Sequence, residues 1–330
     1  MSRKKYTLSI IIASRNEEFL AKTVENIIEN KNDDTEIIVG LDEKWAKPPL
    51  VDHPDVTIYY VPVSLGQRAM CNQLCRLSKA KYIMKLDGHC TVDKDFDKKM
   101  IEGFKETGDN VIAIPSMYNL HAFSWKCKKC GMKWYQGPTP THCMSGEHVE
   151  NPNCDNTRHF EKKIVFKPRW NRRTEFWNFD NDLHFQYDNG RKKRPESQGQ
   201  IVDTMSCIGA CWMVTRDKYW ELNLNDETFG SWGQMGTELS CKIHLTGGRM
   251  VVNKNTYFSH LFRTQKDFGF PYPQSNTQVN NAREKSKELF IYKGFKGQIY
   301  PISWMIEKYW PVSNWTQKDL DEIKKVEFKP

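Results

Sequence analysis

Short apolar runs alternate with amphipathic stretches along the first third of the chain. Residues 7–13 (TLSIIIA) are continuous, apolar and rich in β-branched side chains. That composition predicts a strand buried on both faces, as in a parallel sheet. Phe19, Leu20, Thr23, Val24, Ile27 and Ile28 then recur at three and four residues, the stripe of a helix. Residues 36–41 (EIIVGL), 57–61 (TIYYV) and 82–86 (YIMKL) predict three more buried strands. Between them, residues 66–77 read as a helix with Ala69, Leu74 and Leu77 inward. A helix over 93–107 and a strand over 111–114 follow.

Near residue 120 the periodicity lapses. Residues 125–154 are rich in Cys, His, Gly and Pro, and basic, aromatic sequence runs on to about residue 194. Regular patterns then return: a strand over 209–214, a helix over 237–245 ended by Gly247-Gly248, and a strand over 249–252. Residues 263–274 read as a loop, 277–289 as a polar-faced helix and 314–325 as a last helix capped by Asn314 or Thr316.

Strands that alternate with helices imply an α/β fold, a Rossmann-like, mainly parallel sheet flanked by helices. Ligands of such sheets bind at the carboxyl ends of the strands. Ser14-Arg15-Asn16, Asp42-Glu43 and Asp87-Gly88-His89 all stand at such ends. The first turn has no Gly-x-Gly-x-x-Gly, which disfavours a dinucleotide site.

Composition narrows the reading. The 330 residues suffice for one large or two medium domains. No apolar run approaches the length of a membrane span, and residues 1–6 lack a signal-peptide core, so the expectation is a cytoplasmic protein. The 10 cysteines should then be thiols or metal ligands. The net charge of +8 is uneven: residues 161–173 hold six basic residues against one acid, and 191–194 (RKKR) add four. Such a surface suits a polyanion, and the interleaved Phe166, Trp170, Trp177 and Phe179 suit stacked bases. The alternative is a solvated basic loop.

Asp87-Gly88-His89 is either a plain strand-end turn or a pair of ligands for one divalent ion, with Gly88 allowing the backbone to turn. Mn²⁺ (or Mg²⁺) fits such a site, and a nucleotide diphosphate can complete its shell. Further on, His260 and Arg263 follow a strand-like stretch, and Glu238 opens a helix after Trp232-Gly233.

In this order and spacing, these residues resemble a GT-A family 2 glycosyltransferase. Asp87-Gly88-His89, Trp232-Gly233…Glu238 and His260…Phe262-Arg263 resemble the polypeptide N-acetylgalactosaminyltransferases in particular. The resemblance implies that Asp87, His89 and His260 hold Mn²⁺, and that the metal holds the diphosphate of a UDP-sugar. It implies that Arg263 lies near that diphosphate, that Asp42 contacts the uracil ring, and that Ala13 and Arg15 meet the nucleotide. Arg68 and Asn72, in Ser64–Asn72, are the polar candidates of a helix facing the donor, and Trp232 lies on the donor side. One departure stands out. Where many inverting family 2 enzymes carry Glu-Asp, this chain has Met235-Gly236. Either Glu238 is the general base, or the reaction retains configuration without a dedicated base.

Cys127-Lys128-Lys129-Cys130-Gly131 is a zinc-knuckle sequence, and Cys143 and Cys154 complete a four-thiolate set. His142 and His148 are alternates. So polar a segment needs a metal staple to fold, and a closed site of this kind is structural. The expected organisation is a nucleotide-sugar half over 1–118, a zinc-ribbon-like insertion over 119–160, an acceptor-side half over 161–262, and a loop with a helical extension over 263–330. The expected function is transfer of a sugar from a UDP-sugar to a hydroxyl, with a 5-hydroxymethylpyrimidine base in DNA, as in phage-type DNA modification, as the lead acceptor. A phage-encoded chain would then work in the host cytoplasm. Protein or saccharide hydroxyls are alternatives, as is a non-catalytic zinc-ribbon nucleic-acid-binding protein on the same scaffold.

Overall fold

The structure is a computed structural model and describes residues 5–32, 34–143, 154–263 and 268–330. The apolar runs become strands almost as the pattern predicts: β1 (Leu8–Ser14), β2 (Thr35–Asp42), β3 (Val56–Val61) and β4 (Tyr82–Leu86). Between and after them come α1 (Leu20–Asn30), α2 (Gln67–Leu77), the short β5 (Cys90–Val92) and α3 (Phe96–Thr107). Predicted from residue 93, α3 starts later, because Asp95 takes a left-handed conformation at the N-cap. Gly40 lets α2 lie tight on β2, since a Cβ there would run into Met70.

Several expectations change beyond residue 110. The strand predicted over 111–114 is the opening of the long β6 (Val111–Cys127). It pairs with β7 (Lys133–Tyr135) and with β8 (Phe160–Thr174). The basic segment over 161–173, for which a solvated loop was the alternative to a polyanion-docking surface, is a strand, with exposed Lys163, Lys167, Arg172 and Arg173. β9 (Trp177–Phe179) and β10 (Phe185–Tyr187) form a separate hairpin-like pair. Then come β11 (Ile201–Asp203), β12 (Cys211–Thr215), α4 (Arg216–Glu221), α5 (Met235–Leu245) and β13 (Arg249–His260). The chain closes with α6 (Asn276–Lys287), which continues as a π-turn over Glu288–Lys293, then α7 (Ile302–Lys308) and α8 (Gln317–Val326). No periodic pattern marked α7. Of the two predicted caps for the last helix, Thr316 is the one used, within a capping box with Asp319.

The main sheet runs β11-β13-β6-β12-β4-β1-β2-β3. β1, β2, β3 and β4 are mutually parallel, β6 and β13 are parallel, and β12 is antiparallel between the two groups. This is the expected α/β, parallel-dominated sheet, with helices packed on it. Two features of register matter for function. β12 lays Ala210 against the end of β4, where its carbonyl accepts the Asp87 N–H at 2.9 Å. β13 was predicted to stop at residue 252, but passes a register shift between Asn253 and Tyr257 and pairs on to His260, opposite Cys90. That shift carries a residue distant in sequence to the side of His89. A second apolar cluster, with Leu245, Phe290, Ile302, Ile306, Leu320 and Ile323, holds the last helices to α5. Among the described residues no helix is long and apolar enough to cross a membrane.

Candidate active site

A cavity of about 480 Å³ opens at the carboxyl ends of β1, β2 and β4. Its floor carries Asp87 and His89, and Ala13, Ser14, Arg15, Glu17 and Asp42 come from the neighbouring strand ends. Ser64–Gln67, Ser231, Trp232 and the segment from Tyr272 to Gln278 complete the wall.

Asp87, His89 and His260 converge there. The Asp87 Oδ2 lies 3.2 Å from His260 Nε2, and the two imidazole Nε2 atoms lie 3.0 Å apart. One ligand atom from each residue fits within 4.8 Å of the others. His89 directs its Nδ1 to Glu17 Oε2 at 3.0 Å. A carboxylate there accepts a hydrogen bond from the Nδ1–H and leaves Nε2 as a bare lone pair, the arrangement that orients metal-binding histidines. Among the described residues His260 Nδ1 is buried without a partner, so His260, unlike His89, has no brace behind its ring and only Asp87 and His89 face its Nε2. Two lone pairs and a carboxylate oxygen aimed at one point suit a divalent ion, and the residues present fit Mn²⁺ or Mg²⁺.

Charges around the cluster reinforce it. Burial works against the Asp87 carboxylate, but Lys85 and the two histidines hold it well below the usual carboxylate range. Burial likewise opposes Glu17, and His89 and Arg263 bring it down to about 2. His260 is pushed down to about 4 by burial, with Asp87 opposing, and is therefore neutral at physiological pH. Neither Glu17 nor Lys85 was singled out in the sequence. Glu17 stood one residue beyond the noted Ser14-Arg15-Asn16. Lys85 carried a visible signal, a lone charge inside the apolar run YIMKL.

The other expected site residues divide. Ala13, Arg15, Asp42 and Trp232 line the cavity. Arg15 is paired with Glu43. Asp42 uses its carboxylate on the Leu65 N–H at 2.7 Å, the Gly66 N–H at 3.1 Å and the Ser64 hydroxyl at 2.8 Å, so it builds the wall as well as facing the cavity. Arg263 is not on the wall; its Nη2 donates to both carboxylate oxygens of Glu17, at 2.7 and 2.8 Å. Arg68, Asn72 and Glu238 do not line the cavity. Gln67, not Arg68, faces the cavity. Arg68 is 1% exposed and paired with Glu238, which is 0% exposed and also bound by Lys242 at 2.9 Å. Asn72 binds the Asn225 carbonyl, Glu227 and the Tyr219 hydroxyl. The spacing of four residues puts Arg68 and Asn72 on one face, but that face packs against α5 and the segment before it.

The four expected cysteines also meet. Cys127 and Cys154 sulfurs are 3.7 Å apart and Cys130 and Cys143 sulfurs 3.5 Å, with all four within 4.8 Å. A tetrahedral zinc with Zn–S near 2.3 Å requires sulfurs about 3.8 Å apart, whereas a disulfide requires about 2.05 Å. Gly131, at φ 80°, closes the turn and its N–H donates to the Cys127 carbonyl at 2.9 Å. Burial resists ionisation of Cys127, yet the Cys130 N–H and the Asn156 amide bring its pKa down to about 6. The donor set fits zinc. His142 is exposed and turned to Thr141, outside the set, and His148 lies outside the described residues.

Residues 9–140 match the family Glycosyl transferase family 2. The chain is 22% identical over 166 residues to polypeptide N-acetylgalactosaminyltransferase 3 of Drosophila melanogaster, covering 40% of this chain and 25% of that protein. It is 24% identical over 115 residues to polypeptide N-acetylgalactosaminyltransferase 14 of Homo sapiens, covering 33% of this chain and 20% of that one. It therefore spans a quarter or less of the length of these two relatives. A crystal structure of GalNAc-T7 with UDP, GalNAc and Mn²⁺ superposes with a TM-score of 0.59 at 14% identity, over 97% of this chain and 54% of that one. Residues 9–140 thus resemble a glycosyltransferase family 2 domain, and the chain as a whole shares the fold of GalNAc-T7. In sequence it resembles the polypeptide N-acetylgalactosaminyltransferases.

Proposed function

We propose that the protein is a metal-dependent glycosyltransferase that uses a nucleotide sugar, with UDP as the nucleotide. The observation that carries this reading is the convergence of His260 on Asp87 and His89, the two of the three that line the strand-end cavity. That the GalNAc-T7 structure contains UDP and Mn²⁺ supports the same choice of donor and ion. The ion would supply Lewis acidity to the departing diphosphate. The chain's own residues do the rest. Asp87, His89 and His260 present their donor atoms, and Glu17 fixes the His89 ring. Ser64–Gly66, braced by Asp42, shape the nucleotide side. Trp232 and the Tyr272–Gln278 segment wall the cavity and limit water at the reacting carbon.

The carboxylates on the wall, among the described residues, are Glu17, Asp42 and Asp87, and each is engaged by its neighbours. Glu238 is shut away with Arg68 and Lys242. This supports the retaining alternative, without a dedicated base. Asp87→Ala and His89→Ala should each lower turnover at least about a thousandfold and abolish Mn²⁺-dependent UDP binding, read by calorimetry. Undiminished UDP affinity in both variants would overturn the assignment.

For the acceptor we favour a hydroxylated base in DNA, such as a 5-hydroxymethylpyrimidine. Support comes from the basic β8 with exposed Trp170, and from the four-thiol tip on the same arm. We assign that tip a structural zinc. The ten free cysteines favour a reducing, cytoplasmic setting. A second reading, transfer to a protein Ser or Thr hydroxyl, is favoured by the names of the relatives. Mass spectrometry on hydroxymethylated DNA, peptide and glycan acceptors with UDP-sugars separates the readings. Product on peptide or glycan but not on DNA removes the first. DNA affinity that does not fall steeply with salt also counts against it.

A further inference from the structure

Lys85 is a charge that neither the donor nor the acceptor reading uses. Its side chain is 1% exposed, in β4, between Ile11 of β1 and Trp212 of β12. A buried ammonium is costly unless it is paired. Its Nζ is paired with Asp87 Oδ1 and donates to the Gly209 carbonyl at 2.6 Å. Gln67 Nε2 approaches the same Oδ1 at 3.5 Å. The other carboxylate oxygen, Oδ2, is the one that faces His260 at 3.2 Å and His89 at 4.0 Å. The two oxygens of Asp87 are thus divided between two tasks.

From this division we infer that Lys85 is a positioning residue that makes Asp87 a one-oxygen ligand and weakens divalent-ion binding in the absence of nucleotide. This inference rests on the proposed metal site. With Oδ1 held below the site, only Oδ2 reaches the ion. Together with His89 and His260 that gives three protein donors, and it leaves about three positions of an octahedral shell for water or diphosphate oxygens. A carboxylate free to bind through both oxygens would close one of them. Lys85 also cancels the charge of Asp87, while Arg263 cancels that of Glu17. The ion therefore meets a nearly neutral site, and the anionic diphosphate supplies the charge that holds it. Metal and nucleotide are thus retained together.

The test measures Mn²⁺ binding to the nucleotide-free protein by electron paramagnetic resonance, and counts bound waters by water-proton relaxation. Wild-type protein should hold Mn²⁺ with about three waters. Lys85→Met, of similar volume, should bind Mn²⁺ about ten- to a hundredfold tighter, because a unit positive charge one carboxylate away has gone, and should lose one water. Lys85→Gln keeps an N–H for Oδ1 without the charge. It should bind tighter with the water count unchanged. Circular dichroism checks that each variant is folded. Two waters on the wild-type ion would overturn the inference even if neither variant folds. Folded variants with unchanged or weaker Mn²⁺ affinity would also overturn it and leave Lys85 a core filler. No Mn²⁺ bound to wild type, with or without UDP, would instead remove the metal site itself.

Discussion

The Asp87–His89–His260 cluster and the four-cysteine cluster each gather donor atoms suited to an ion, by opposite means. The first stands on strand ends backed by the main apolar core, and its side chains are held by other side chains: Glu17 on His89, Lys85 on Asp87. It is open to a cavity. The second sits at the far end of the β6–β8 arm and is enclosed by its own sulfurs. Its neighbours are turns, the Asn156 amide and a small aromatic group that includes Trp134 and Phe160. A site meant to exchange its ligands must keep its shape when empty, and so needs a supporting core. A site meant to hold its ion permanently can use that ion as the support.

The sharpest way to break this comparison is Cys127→Ser. It should remove the stoichiometric zinc and amide-exchange protection across 127–143 and 154–160, a loss on the scale of the ~10 kcal/mol or more that structural zinc contributes in small sites. Mn²⁺-dependent UDP binding should persist. Loss of both together would mean the two clusters are one cooperative unit. Next is Glu238→Ala, which leaves the Arg68 guanidinium buried without its partner. Denaturant unfolding should report a cost of about 3–5 kcal/mol, with UDP affinity kept. A normal stability with collapsed turnover would return Glu238 to the reaction. Smaller again is Glu17→Gln, which should weaken Mn²⁺ binding about 10- to 100-fold through the His89 ring. An unchanged Mn²⁺ affinity would show that His89 needs no brace. The smallest is Thr316→Ala, at the cap of α8, which should cost about 1 kcal/mol of stability and move neither ion site.

Much of this was visible in the sequence because the physics is local. A run such as TLSIIIA has few ways to bury itself, and a Cys-x-x-Cys-Gly carries its own turn. Asp87 and His89 were readable as a candidate ligand pair from residue type and position after an apolar run, His260 joined them only through the family resemblance, and the structure brings the three together. The errors came where partners lie far away in the chain. Nothing local tells Arg68 and Glu238 that they will meet across 170 positions of sequence. Nor does alternation mark β8, whose lysines and arginines mask a strand held by pairing with β6. Lys85 was the missed clue, since a cation within a fully buried strand must have found an anion.

The register shift in β13 has a consequence for how the protein is made. It brings His260 to Asp87, 173 positions earlier in the chain. At a synthesis rate of about 5–20 residues per second, the third ligand arrives on the order of ten to thirty-five seconds after the first. The amino-terminal strands can fold on the ribosome in that interval, yet the nascent chain holds only two of its three metal donors. The complete cluster therefore cannot assemble until most of the sheet, including the strand beside His260, has been synthesised.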